Sequence, residues 1–113
     1  MVLWIDGNTF AADLIQRVFK SRSLPFYTIP DVRDFAYLVE DLLPELIVID
    51  GDTARKDLGL LREQYERTEA LRRARFVVIG SWEGLDFIEG KKGPISRELD
   101  PFKVPELLRE FRP

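Results

Sequence analysis

The chain contains no histidine and no cysteine among its 113 residues. The first absence removes the commonest metal ligand and general base. The second removes disulfide frames, thiolate zinc sites and nucleophilic thiols. Charge of one sign is not concentrated either: 17 basic residues stand against 20 acidic ones, a formal net charge of −3. No run of Lys or Arg forms a one-sided stripe that would track phosphates, so nucleic acid is not an expected partner. Long apolar runs are missing as well. The opening from Met1 to Ile5 stops at Asp6, far short of a membrane span of about 20 residues or of a signal peptide. The expected setting is the cytoplasm, with no membrane partner.

What is present is enough for one compact domain over residues 1–113. Apolar residues make up 45% of the chain, including eight Phe, three Tyr and two Trp, against 33% charged residues. That balance supplies both a core and a solvated surface without disulfides or metal. No internal repeat, low-complexity tract or linker interrupts it.

Three runs rich in apolar and β-branched residues, Val2 to Ile5, Leu46 to Ile49 and Phe76 to Ile79, read as strands buried on both faces. They end in Asp6-Gly7-Asn8, Asp50-Gly51-Asp52 and Gly80-Ser81, polar turn signals that gather on one edge of a parallel sheet. Phe26 to Ile29 and Ile95 to Leu99 read as two weaker strands. Helical periods lie between them. Phe10, Leu14, Ile15, Val18 and Phe19 follow an Asn8 or Thr9 cap. Val32, Phe35, Leu38, Val39 and Leu42 follow Asp31 and stop before Pro44. Leu58, Leu61, Tyr65, Thr68 and Leu71 predict one longer third helix, Trp82 to Glu89 a short fourth one, and Pro105, Leu107, Leu108 and Phe111 a last one. Lys91-Lys92-Gly93-Pro94 reads as a turn.

Strand and helix alternating five times imply right-handed crossovers and a doubly wound α/β domain. For five parallel strands the expected order is 2-1-3-4-5, the flavodoxin-like arrangement, with chemistry beside the carboxyl ends of strands 1 and 3. Asp6 and Asp50 both fall there.

Val2-Leu3-Trp4-Ile5-Asp6, Leu46-Ile47-Val48-Ile49-Asp50, Phe76-Val77-Val78-Ile79-Gly80-Ser81 and Asp100-Pro101-Phe102, in this order and separation, resemble the landmark segments of response-regulator receiver (CheY-like) domains. The resemblance spans the whole chain. In a working receiver it implies an acidic pair after strand 1, a phosphoacceptor Asp after strand 3, a Thr or Ser after strand 4, and a Lys before a Pro. Carboxylates there hold Mg²⁺, while metal, Lys and hydroxyl neutralise and grip the phosphoryl group. By resemblance Asp6 matches the first acid and Asp50 the acceptor. Gly7 replaces the second acid, Gly80 the hydroxyl with Ser81 one step late, and Asp100 the Lys. An anion at the Lys position would repel a phosphorylated Asp50, which carries about two negative charges. The expectation is therefore a degenerate pseudo-receiver, without enzymatic activity and without a cofactor, that binds a protein partner or itself independently of phosphorylation. Mg²⁺ enters only under the alternative of a functional response regulator phosphorylated on Asp50, with Asp6 and Asp50 as the metal ligands. A small flavodoxin-like enzyme or nucleotide-binding protein is the third reading.

Several residues carry two readings. Asp6, Asp50, Asp52 and Asp100 form an acidic pocket in which one raised pKa is as natural as a bound cation. Gly7-Asn8-Thr9 opens a helix but lacks a Gly-rich phosphate loop. The receiver resemblance places an interaction face over Trp82 to Glu89, Ile95 to Leu99 and Val104 to Phe111. Trp82, Phe87 and Arg97 are its candidate contacts, and Arg97 stands at the position of the switch Tyr. The resemblance also puts a cis peptide at Asp100-Pro101.

Overall fold

A computed structural model describes residues 1–112. The strands β1 (Val2–Ile5), β2 (Phe26–Ile29), β3 (Leu46–Asp50), β4 (Phe76–Ile79) and β5 (Lys92–Ile95) form one sheet in the order β2-β1-β3-β4-β5. Every pairing is parallel. The helices are α1 (Thr9–Ser21), α2 (Phe35–Leu42), α3 (Gly51–Arg55), α4 (Leu58–Arg67), α5 (Glu69–Arg73) and α6 (Val104–Arg109), the last preceded by a 3₁₀ turn, Pro101–Lys103. This is the doubly wound α/β architecture expected from the alternation of strand and helix signals.

The three central strands are buried along their whole length, which explains their unbroken apolar runs. Alternate residues feed two cores. Val2, Trp4, Leu46, Val48, Val77 and Ile79 pack with α1 and α6. Leu3, Ile5, Ile47, Ile49, Phe76 and Val78 pack with α2, α4 and α5 on the other side. The Asn8 cap is realised, its side chain accepting from Ala11 N at 3.2 Å. Leu43 closes α2 in the left-handed conformation one residue before Pro44.

Five local expectations are corrected. The single third helix is two, α4 and α5, parted at Thr68, and a separate short α3 precedes them across Asp57; Asp57 and Thr68 leave helical dihedrals. Both are residue types that compete with the helix through their own polar side chains. Helix α2 starts at Phe35 rather than Val32; Asp31 instead accepts from Arg33 N in a local turn.

No helix forms between β4 and β5. Gly80, Gly84 and Gly90 all have positive φ, and the connection is a chain of turns whose Leu85 and Ile88 are nevertheless fully buried in the α2 side of the core. Strand β5 lies at Lys92–Ile95, not Ile95 to Leu99. It is an edge strand, where Pro94 needs no ladder N–H. Gly93, at φ +97, packs so closely that a β-carbon would lie 2.7 Å from Val78 O. Finally, the cis peptide is Gly93-Pro94, not Asp100-Pro101; Pro101 opens the 3₁₀ turn, with the Asp100 side chain accepting from Phe102 N at 3.0 Å.

Leu85 is the plug of this helix-free crossover, so Leu85→Ala is expected to cost about 2–5 kcal/mol. The exposed neighbouring substitution Glu83→Ala should stay within about 0.5 kcal/mol. Urea denaturation midpoints at unchanged slope check the pair.

Candidate functional site

Parallel pairing brings the carboxyl ends of β1, β3 and β4 to one edge, where a cleft of about 400 Å³ is lined by Asp6, Gly7, Asp50, Asp52, Thr53, Lys56 and Arg97 among others. Asp50 is the last residue of β3 and is buried, in register with Ile79. Both oxygens of its carboxylate have partners. Oδ2 accepts from the backbone N of Thr53 at 3.0 Å and from the Thr53 hydroxyl at 2.9 Å. Oδ1 lies 3.1 Å from a guanidinium nitrogen of Arg97. Asp50 is thereby also the N-cap of α3. The Thr53 hydroxyl accepts in turn from Gly7 N at 2.9 Å, tying the β1 edge to the β3 edge.

Arg97 continues the network. Its other terminal nitrogen lies 2.5 Å from Asp52 Oδ2, and Asp52 Oδ1 is 2.8 Å from Arg55. Arg55 donates to Ser81 O at 3.0 Å and Glu83 O at 2.9 Å. The hydrogen bonds from Arg55 and then Arg97 hold the Asp52 carboxyl below its ordinary pKa. Asp6 behaves oppositely. Burial pushes its carboxyl upward and the Asp50 charge adds to this, against the opposing hydrogen bond from Asn8 N. Asp6 Oδ2 also faces the indole N–H of Trp4 at 3.5 Å.

Asp6, Gly7, Asp50 and Asp52 are brought together as expected, but Asp100 is not with them. Asp100 caps the 3₁₀ turn and does not line the cleft. The cation that the resemblance places beside the acceptor Asp is present after all, as Arg97. The cause is the strand shift: with β5 ending at Ile95, the residue that reaches the carboxyl edge is 97, not 100. The expected anionic field over Asp50 is therefore corrected to a cationic one.

Arg97 is exposed, as expected of a residue on an interaction face, while both terminal nitrogens of its guanidinium pair with Asp50 and Asp52. Phe87 is half-buried, its ring 5.7 Å from Tyr65 and stacked under Arg62, so it belongs to the core. Trp82 is 40% exposed, with the Lys91 ammonium over its ring. Ser81 is exposed, its hydroxyl accepting from Glu83 N at 3.1 Å.

Gly80 has an explanation that its sequence position alone did not offer. At φ +88, a β-carbon there would lie 2.5 Å from an Arg97 guanidinium nitrogen, so Gly80 is the floor over which Arg97 reaches Asp50. Thr53 and Lys56 were not singled out in the sequence. The only signal for Thr53 was its place three residues after Asp50, the spacing of a capping interaction.

The residues do not fit a divalent cation of the receiver kind. Gly7 brings no carboxylate, Arg97 occupies one oxygen of Asp50, and Lys56 Nζ lies 3.9 Å from where a Gly7 β-carbon would be. Among the described residues no three Asp or Glu side chains gather closely enough to hold a metal.

No family model matches the sequence, and no curated protein matches it. Solved structures do. A response regulator signal receiver domain from Bermanella marisrubri superposes with a TM-score of 0.73 at 16% identity, covering 97% of this chain and 95% of that one. The chain has the receiver fold. A CheY-like receiver domain protein from Methanospirillum hungatei gives 0.72 at 16% identity over 96% of this chain and 90% of its own. The receiver domain of the hybrid histidine kinase CckA gives 0.71 at 14% identity over 96% and 95%. Within the receiver fold, Asp50 thus stands at the end of the third strand with Arg97 beside it.

The raised pKa of Asp6 predicts a pH dependence. Between the ordinary carboxylate value and the raised native one, the folded chain holds a proton that the unfolded chain has lost, so stability falls as pH rises through that window. Asp6→Asn removes the buried charge but keeps an acceptor for Asn8 N. It should raise the melting temperature near about pH 7 and lose this advantage near about pH 3.5, as followed by thermal melts across the range.

Proposed function

We propose that the chain is a receiver-fold signalling domain that works without phosphorylation, through protein–protein contacts, in a two-component-type pathway of the cytoplasm, and that it is not an enzyme. One observation carries this reading: both oxygens of the Asp50 carboxylate are already bound by Thr53 and Arg97 within the protein. A nucleophilic carboxylate needs a free oxygen in line with the incoming phosphorus, and an acceptor site needs a cation that neutralises the transferred group. Here the cation serves Asp50 itself. The replacement of a hydroxyl by Gly80, over which Arg97 passes, and of an acid by Gly7 supports the same conclusion.

A second reading has one observation in its favour. Arg97 puts positive charge against Asp50, so repulsion at the old Lys position no longer argues against a phosphorylated Asp50. In this reading the guanidinium would swing from the carboxylate to the phosphoryl oxygens, a bidentate geometry that Arg favours.

Incubation with acetyl phosphate and Mg²⁺, followed by intact mass, separates the two. We expect no phosphoryl adduct. An adduct on most of the protein that disappears in Asp50→Asn would overturn the proposal. In parallel, Trp4 fluorescence should not change on titration with about millimolar Mg²⁺; a saturable change at micromolar metal would contradict the misfit of the site. Arg97→Ala unpins Asp50 without touching the core. It is expected to lower stability by about 1–3 kcal/mol, read by urea denaturation.

A further inference from the structure

Helix α1 buries Ala12, Ile15, Val18 and Phe19 against the sheet and turns its other side to solvent, yet that side is not polar throughout. Phe10 is 76% exposed, Leu14 is 36% exposed, and Phe102 on the adjoining 3₁₀ turn is 70% exposed. Two large aromatics on one face differ from the single exposed apolar residues of an ordinary surface. Phe102 and Pro101 close a groove of about 300 Å³ with Leu14, Arg17, Val18 and Ser21. The groove is braced from behind: Arg22 donates to Phe102 O at 2.6 Å and pairs with Glu106 of α6.

We infer that this face is a self-association surface on which two copies of the chain meet with their α1 helices antiparallel, each Phe10 seated in the other copy's groove. The proposal deepens the protein-interaction reading by naming the partner as a second copy.

Two complementarities select that occupant. The first is shape. Phe10 and Val18 stand eight positions apart along α1, about 12 Å at 1.5 Å per residue, so an apolar knob lies at one end of the exposed strip and an apolar hole at the other. A two-fold axis crossing the strip between them maps the knob of each copy onto the hole of the other, the reciprocity an isologous interface requires. The second is charge. Asp13 and Arg17 lie one turn apart on the same exposed strip, and neither forms an ion pair within the chain among the described residues. The antiparallel arrangement brings Asp13 of each copy toward Arg17 of the other, twice over. A helix of 13 residues is only about 20 Å long, which keeps the buried area near the small end of specific interfaces, about 1,200 Å² in total. The dimer is accordingly weak and concentration-dependent.

Sedimentation velocity on the full chain, from about 1 µM to about 1 mM and without any phosphodonor, tests the proposal. The expected result is a monomer–dimer equilibrium within that range. Phe10→Asp, at an exposed position that leaves the fold intact by circular dichroism, should weaken dimerisation at least tenfold. Asp13→Arg and Arg17→Asp should each weaken it, and the double swap Asp13→Arg/Arg17→Asp should restore it to within about threefold, because opposite charges again face across the axis. Trp82→Ala should leave it unchanged. A wild-type chain that stays monomeric at about 1 mM, a dimer indifferent to Phe10→Asp, or a double swap that fails to restore association would overturn the proposal. Such a failure leaves the acetyl phosphate result standing, since that experiment reads Asp50 alone.

Discussion

The contact between Asp50 and Arg97 organises the whole carboxyl edge of the sheet. Two unit charges about 4 Å apart attract by about 4 kcal/mol at an effective dielectric near 20. Removing a carboxylate and a guanidinium from water offsets much of that. The pair therefore matters less as net stability than as a constraint on what can stand around it. Arg97 passes over Gly80, where a β-carbon would press on the guanidinium and displace it. Its second nitrogen draws in Asp52, Asp52 draws in Arg55, and Arg55 holds the backbone carbonyls of Ser81 and Glu83. A chain of charge-assisted contacts thus runs from the end of β3 to the loop after β4.

The missing residues of the receiver pattern look independent in the sequence, but in space they are coupled. Losing the hydroxyl at Gly80 opens the path of Arg97. The backbone N–H of Gly7 donates to the Thr53 hydroxyl, which donates in turn to the second oxygen of Asp50. A buried carboxylate requires such partners.

The helix-free crossover between β4 and β5 fits the same picture. Leu85 and Ile88 plug the core directly from turns, so the segment that carries a helix elsewhere in this fold is short and tethered by Arg55. Large apolar side chains stand exposed on α1 and at Phe102, as they do at Tyr37 and Leu43 on and after α2.

The sequence by itself determined the α/β class, the five strands, the strand order and the gathering of Asp6 and Asp50 at one edge. Those features follow from periodicity and from polar residues ending apolar runs, which are local signals. It also showed that Gly7 and Gly80 stand where side chains would be needed. The tertiary structure alone decided which residue faces Asp50. Strand β5 is an edge strand containing Gly93 and Pro94, residues that read locally as a turn, and its place was set by packing against Val77 to Ile79 rather than by propensity. Moving the end of that strand from Leu99 to Ile95 exchanged Asp100 for Arg97 at the site and reversed the sign of the charge beside Asp50. The roles of Thr53 and Gly80 were invisible for the same reason. A hydrogen bond between residues 46 positions apart, or a guanidinium passing over a glycine from another strand, leaves no periodic trace in the chain.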